Sequence, residues 1–137
     1  MQDCIFCRIV KGEIPCHMVY EDRYIIAFLD INPMTEGHTL VVSKEHIESF
    51  SDTSSYIATN IAESSVKIAG ALKKALKPEG FNYFINEGKV AGQLVMHLHM
   101  HVVPRYGDDD VKFEAGSKVE LDEEEMKAIA ERISKEI

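Results

Sequence analysis

Met96-His97-Leu98-His99-Met100-His101-Val102-Val103 alternates imidazole and apolar side chains, and this alternation decides the fold. Successive side chains of a strand point to opposite faces. His97, His99 and His101 therefore share one face, and Leu98, Met100 and Val102 share the other, which can pack on a helix. A lone histidine in a strand is usually half-buried with its nitrogens satisfied. Three in strict alternation are poorly explained by packing, because each buried ring carries polar nitrogens that need partners. Two chemistries suit such a face, a metal cluster or a phosphate-handling site, since histidine is a good ligand and titrates near neutrality. The preceding loop, Asn86-Glu87-Gly88-Lys89-Val90-Ala91-Gly92-Gln93, favours phosphate, because its two glycines let backbone N–H groups approach an anion.

Working outward, Phe81 to Ile85 reads as a second strand. Before it, Ile57, Ile61, Ile68, Leu72 and Leu76 form one face of a long helix from about Thr53 to Leu76, stopped by Pro78 and Gly80. Thr39 to Ser43 reads as a strand, Asn32-Pro33 as a turn, and Val19-Tyr20 with Tyr24 to Leu29 as a hairpin across Glu21-Asp22-Arg23. Cys4 to Gly12 reads as a short helix or turn ended by Gly12. At the other end, Asp122 and Glu125 make a capping box, and Leu121 with Met126 a hydrophobic staple. Met126, Ile129, Ala130, Ile133 and Ile137 are the buried stripe expected of that C-terminal helix. About five strands and two helices without regular alternation predict one α+β domain over 1–137, with a mainly antiparallel sheet.

The chain of 137 residues is 45% hydrophobic and 28% charged, ordinary for a globular protein. Its longest apolar runs are too short to span a bilayer. The first residues, Met1-Gln2-Asp3-Cys4, lack the basic start and apolar stretch of a secretory signal, so a cytoplasmic protein is expected. A formal charge of -8 argues against binding a nucleic acid backbone, yet a locally positive pocket can still take a small anion. Three cysteines without a signal read as free thiols or metal ligands.

His97-Leu98-His99-Met100-His101-Val102-Val103 resembles the signature of the histidine triad family, His-φ-His-φ-His-φ-φ with φ apolar, at every position. Phe28-Leu29-Asp30-Ile31-Asn32-Pro33, Gly37-His38-Thr39-Leu40 through Ile47, Asp3 to Cys7 and Asn86 to Gln93 are similar to the family pattern too. The resemblance spans about residues 3 to 106, and 107–137 contribute little to it. It implies a small domain that forms a homodimer, and a hydrolase cleaving purine nucleotide conjugates of the nucleoside phosphoramidate type at the α-phosphate. It makes His99 the nucleophile of a covalent nucleotidyl-histidine, and His101 the residue that helps bind the phosphate and leaving group. His97 and His38 are the supporting histidines. Asp30 falls at the ribose-hydroxyl acceptor, and Ile5, Phe6, Ile9, Phe28, Ile31 and Leu40 around the base. Asn86, Gly92, Gln93 and Leu94 fall on the phosphate loop. Leu94 departs from the Ser or Thr common there, and a hydroxyl hydrogen bond worth about 0.5–1.5 kcal/mol is lost. The uridylyltransferase branch has glutamine at the third triad position, whereas His101 here points to a hydrolase. Hydrolysis of diadenosine polyphosphates, or nucleotide binding with little catalysis, are the competing readings.

Cys4-x-x-Cys7 has the spacing of half a zinc site, and two histidines would complete a Cys2His2 set. Spacing alone does not choose them. In family members with this pair, the resemblance implies His46 and His97. Such a zinc has no open position and is structural. No organic cofactor is expected, and Cys16 and His17 read as incidental.

Overall fold

Asp22 makes the first hairpin. Its carboxylate accepts the main-chain N–H groups of Tyr24 and Ile25 and the Tyr20 hydroxyl, each at 2.8 Å, an aspartate-capped turn. It joins β1 (Met18–Glu21) to β2 (Ile25–Leu29). In the computed structural model, which describes residues 3–137, these two strands continue into β3 (Thr39–Ser43), β4 (Gly80–Phe84) and β5 (His99–Arg105). All pairs are antiparallel, and the order is β1-β2-β3-β5-β4. The expected α+β class with five strands is what the chain adopts.

Register sorts the side chains. Phe28 lies opposite Leu40 and Leu40 opposite His101, while Ile26 lies opposite Val42 and Val42 opposite His99. Those residues share one face, and Ile25, Ala27, Val41 and Val102 share the other. The second face meets helix α2 (Ser55–Leu76) through Ile57, Ile61, Ile68 and Leu72. Each fully buried aliphatic side chain there contributes about 1.5–3 kcal/mol. The seven-residue gap between Ile61 and Ile68 holds two buried serines. Ser65 donates to the Ile61 carbonyl at 2.7 Å and reaches the sulfur of Met100 at 3.1 Å, so a small residue lets the helix sit close to β5. Ser54 caps the start, and Lys77 ends the helix in a left-handed conformation just before Pro78.

Between β2 and β3 the chain turns through Gly37, at φ +91°. A Cβ at that position would stand 2.6 Å from Leu76 Cδ1, so only glycine lets this turn close onto α2.

Two sequence expectations need correction. The strand proposed from Met96 begins at His99. His97 N–H instead donates to Val95 at 2.9 Å and Leu98 N–H to Ile47 at 2.6 Å, which draws this segment onto the 44–48 loop. The alternation of faces survives, since Leu98 is buried in the α2 core. The second correction concerns helix α3 (Glu123–Ser134). Its capping box forms, with Glu125 N–H to Asp122 at 2.8 Å. Its stripe is not buried: Met126, Ile129, Ala130, Ile133 and Ile137 are all exposed, as is every residue from 112 onward. Phe113 ties the start of the tail to the sheet, meeting Phe84 edge-on and lying under Arg105. Among the described residues, no helix is long and apolar enough to cross a membrane.

Candidate active site and metal centre

The face of the sheet away from α2 carries an apolar patch of Phe6, Ile26, Phe28, Leu40 and Val42, flanked by Ile9. Phe6 comes from helix α1 (Ile5–Val10), which folds over this face. Its ring meets Phe28 edge-on at 5.4 Å and His99 edge-on at 5.1 Å. Four of the six base-pocket candidates, Phe6, Ile9, Phe28 and Leu40, thus come together beside His99. Ile5 and Ile31 are exposed and join neither buried cluster.

His99 is buried, and its Nδ1 lies 2.6 Å from the main-chain carbonyl of His97. A carbonyl only accepts, so Nδ1 carries the proton and Nε2 keeps a lone pair. Nε2 has no hydrogen-bond partner among the described residues. Burial pushes the pKa of this ring down, against the opposing effect of its bond to His97 and the charge of Asp30. A neutral imidazole with one bare nitrogen can act as a nucleophile.

His101 stacks on Phe84 with centroids 4.4 Å apart and planes at 11°. Its pKa is pushed down to about 4, first by burial and then by the neighbouring His99 and His38. His38, at the end of the β2–β3 turn, is buried and places Nε2 3.0 Å from His101 Nδ1. Burial lowers its pKa as well, opposed by Asp30, whose Oδ2 is 3.6 Å from His38 Nε2. Asp30 also holds the turn by accepting from Asn32 N–H at 2.9 Å. Phe84 escaped the sequence reading, because nothing in its spacing distinguishes it from an ordinary core phenylalanine.

The loop before the triad is tied internally. Gly88 and Gly92 both take positive φ. Buried Gln93 accepts from Gly88 N–H at 2.8 Å and donates to the carbonyls of Glu48 and Val95 at 2.9 and 3.1 Å. Its side chain is fully used in shaping the loop. Asn86 reaches the Gly92 carbonyl at 3.4 Å. Leu94 projects outward, 93% exposed, at the rim of a cleft that also includes Ile5, His46 and Val95.

Cys4, Cys7, His46 and His97 converge, with ligating atoms all within 4.8 Å of one another. His97 Nδ1 lies 3.3 Å from Cys4 Sγ, 3.6 Å from Cys7 Sγ and 3.2 Å from His46 Nδ1. Bond lengths of ~2.0–2.3 Å around a tetrahedral zinc give edges of roughly 3.3–3.8 Å. The four donors fit such an ion. His97 Nε2 is committed elsewhere, donating to the Ser43 carbonyl at 2.6 Å, which leaves Nδ1 bare for a cation. Burial and the neighbouring Cys4 push the Cys7 thiol up, so a cation is what would deprotonate it. Cys16 is a free thiol outside this group.

A family model described as "HIT domain" matches residues 11–108. An uncharacterized HIT-like protein of Methanocaldococcus jannaschii is 49% identical over 122 residues, 88% of this chain and 94% of that protein. An adenosine 5'-monophosphoramidase of Schizosaccharomyces pombe is 37% identical over 134 residues, 98% of either chain. Among solved structures, a HIT family member from Bacillus subtilis superposes with a TM-score of 0.90 at 41% identity, covering 98% of this chain and 97% of that one. A zinc-bound histidine triad family protein from Mycobacterium smegmatis gives 0.78 at 36% identity, with 99% of each chain covered. The histidine face, the sheet that carries it and these matches lead to one conclusion: the chain belongs to the HIT domain family.

Proposed function

We propose that this protein is a nucleotide hydrolase that cleaves purine nucleoside phosphoramidates at the α-phosphate through a covalent nucleotidyl-His99. The observation that carries the reading is the 2.6 Å bond from His99 Nδ1 to the His97 carbonyl, which leaves Nε2 as the attacking atom. Nε2 forms a bond to the α-phosphorus and the P–N bond breaks. Its electron pair goes to the departing amine, which takes a proton from water. Water then displaces His99, giving the monophosphate and a neutral ring. Two easier steps replace one hard one. His101 donates from Nε2 to the phosphate or leaving atom, and His97 and His38 support the two rings.

The base lies on the patch of Phe6, Ile9, Phe28 and Leu40, with Ile5 and Ile31 at its rim. Asp30 accepts from the ribose hydroxyls. Asn86, Gly92 and Gln93 shape the phosphate loop, and the Leu94 N–H faces the anion. The relative named for monophosphoramidase activity supports this substrate class.

The metal is zinc, held by Cys4, Cys7, His46 and His97, and the zinc-bound relative supports that choice. Bound there, it would supply a fixed positive charge that ties the N-terminal segment to His46 and His97, a structural role apart from the reacting atoms. The acting unit is a homodimer, consistent with the exposed apolar stripe of α3. Sedimentation at micromolar concentration checks this, and a monomer rejects it.

The deciding experiment is acid quenching during turnover of an adenosine phosphoramidate, followed by intact-mass analysis. Wild type should carry one adenylyl adduct, and His99→Ala neither adduct nor turnover. Near-normal turnover by His99→Ala refutes the reading.

A further inference from the structure

The main-chain N–H of Met34 donates to His38 Nδ1 at 3.0 Å. A backbone amide cannot reverse its role, so Nδ1 of His38 bears no proton and the neutral ring carries its hydrogen on Nε2. That nitrogen lies 3.0 Å from His101 Nδ1. Nδ1 of His101 must then accept, and the hydrogen of His101 sits on Nε2. One fixed donor, on a residue that never touches the reaction, sets two successive rings.

We propose that His38 is a positioning residue: locked by the Met34 amide, it holds His101 in the Nε2–H form, as a neutral hydrogen-bond donor to the bound phosphate. A protonated His101 would carry hydrogens on both nitrogens and oppose the Nε2–H of His38. His38 could yield only by moving its proton to Nδ1, against the Met34 N–H. The charged or titratable groups facing the pair are His99, whose ring centroid is 5.0 Å from that of His101, and Asp30 beside His38. Phe84, on the remaining side, is uncharged. The depressed pKa of His101 agrees with this arrangement. His101 thus stabilises charge on the phosphate by hydrogen bonding and does not deliver a proton.

This inference rests on the proposed reaction for its purpose, but its test reads the free protein. Long-range proton–nitrogen NMR of nitrogen-15-labelled, zinc-loaded protein distinguishes the two tautomers and the cation of each histidine. The expected spectrum has His101 as the Nε2–H tautomer from about pH 8 to about 5.5, well above the point where a neutral donor form would titrate. An Nδ1–H tautomer, or an imidazolium in that range, overturns the proposal, even if His99 is verified as nucleophile.

Two variants separate positioning from mere packing. His38→Gln can still accept from Met34 and donate to His101, so the tautomer and most of kcat should persist. His38→Leu removes the donor, so His101 should populate both tautomers. Its kcat should fall roughly ten- to a hundredfold with KM little changed, less than the ~10⁴ of a triad whose histidine is held in the wrong tautomer. A single Nε2–H tautomer and unchanged kcat in folded His38→Leu overturns the assignment to His38. If that variant fails to fold, loss of the tautomer in folded His38→Gln does the same.

Discussion

His99 bonds through Nδ1 to the main-chain carbonyl of His97, 2.6 Å away, while the His97 ring itself reaches Cys4 and Cys7. One residue thus joins the reactive ring to the cluster of metal donors. Its side chain belongs to the candidate metal donors, and its peptide carbonyl holds the ring proposed as the nucleophile.

Removing a metal donor should therefore be felt in both places. Cys7→Ser should bind much less than one equivalent of zinc. Its Tm should fall by on the order of 10 °C, because the binding energy of a structural ion is folding energy. Its kcat should fall with it as the His97 carbonyl drifts. Elemental analysis and calorimetry give the first two quantities. A variant with full zinc content and wild-type melting would show that Cys7 is not a ligand.

Acid should weaken the fold through His101. Its pKa is about 4 in the native protein against an ordinary 6.5. Between those values the unfolded chain binds a proton that the folded chain refuses, so stability falls as pH falls across this window. His101→Gln removes that linkage while leaving contributions from the metal site in common. Urea titrations at several pH values between about 4 and 7 should show a steeper decline for wild type than for the variant. Parallel declines would contradict the buried, neutral state of this ring.

The two sheet faces were legible from residues 96–103 because a period of two leaves little freedom once one face must be buried. Ile57, Ile61, Ile68 and Leu72 gave α2 its face through the helical period, recurring at spacings of four, seven and four. The Met34–His38 bond has no sequence signature, since any residue but proline supplies a backbone N–H. Gln93 falls on the phosphate loop by resemblance, but that its amide closes the loop on itself is disclosed only by the folded path of 88–95. The stripe of α3 was read correctly as a pattern and wrongly as buried. Periodicity says which side chains face together, not whether anything in the same chain covers them.

Leu94→Ser should restore a hydroxyl at the rim of the loop. Because Leu94 is 93% exposed, the exchange leaves no cavity and should not alter the melting temperature. If a phosphate lies against this position, binding of AMP should tighten roughly two- to tenfold, the equivalent of about 0.5–1.5 kcal/mol. Calorimetric titration measures it directly, and weaker binding would move the phosphate away from residue 94.

Gly37→Ala should destabilise the protein by about 1–3 kcal/mol. The φ of +91° disfavours any side chain, and the added methyl would meet Leu76 Cδ1 at 2.6 Å. Chemical denaturation gives the difference. A loss below about 0.5 kcal/mol would mean that the turn and the end of α2 part easily.

Helix α1 has six residues, with the Cys4 sulfur accepting the Cys7 N–H at 3.4 Å as its cap. A helix so short has no stability of its own. What keeps it seated is Phe6 and the grip of its two thiols on the strand side. On the proposed function, an ion held by those thiols would act as a clasp on one wall of the nucleotide cradle. Opening the clasp would free Phe6 from His99, so on that reading occupancy of the metal centre and the shape offered to a purine would rise and fall together.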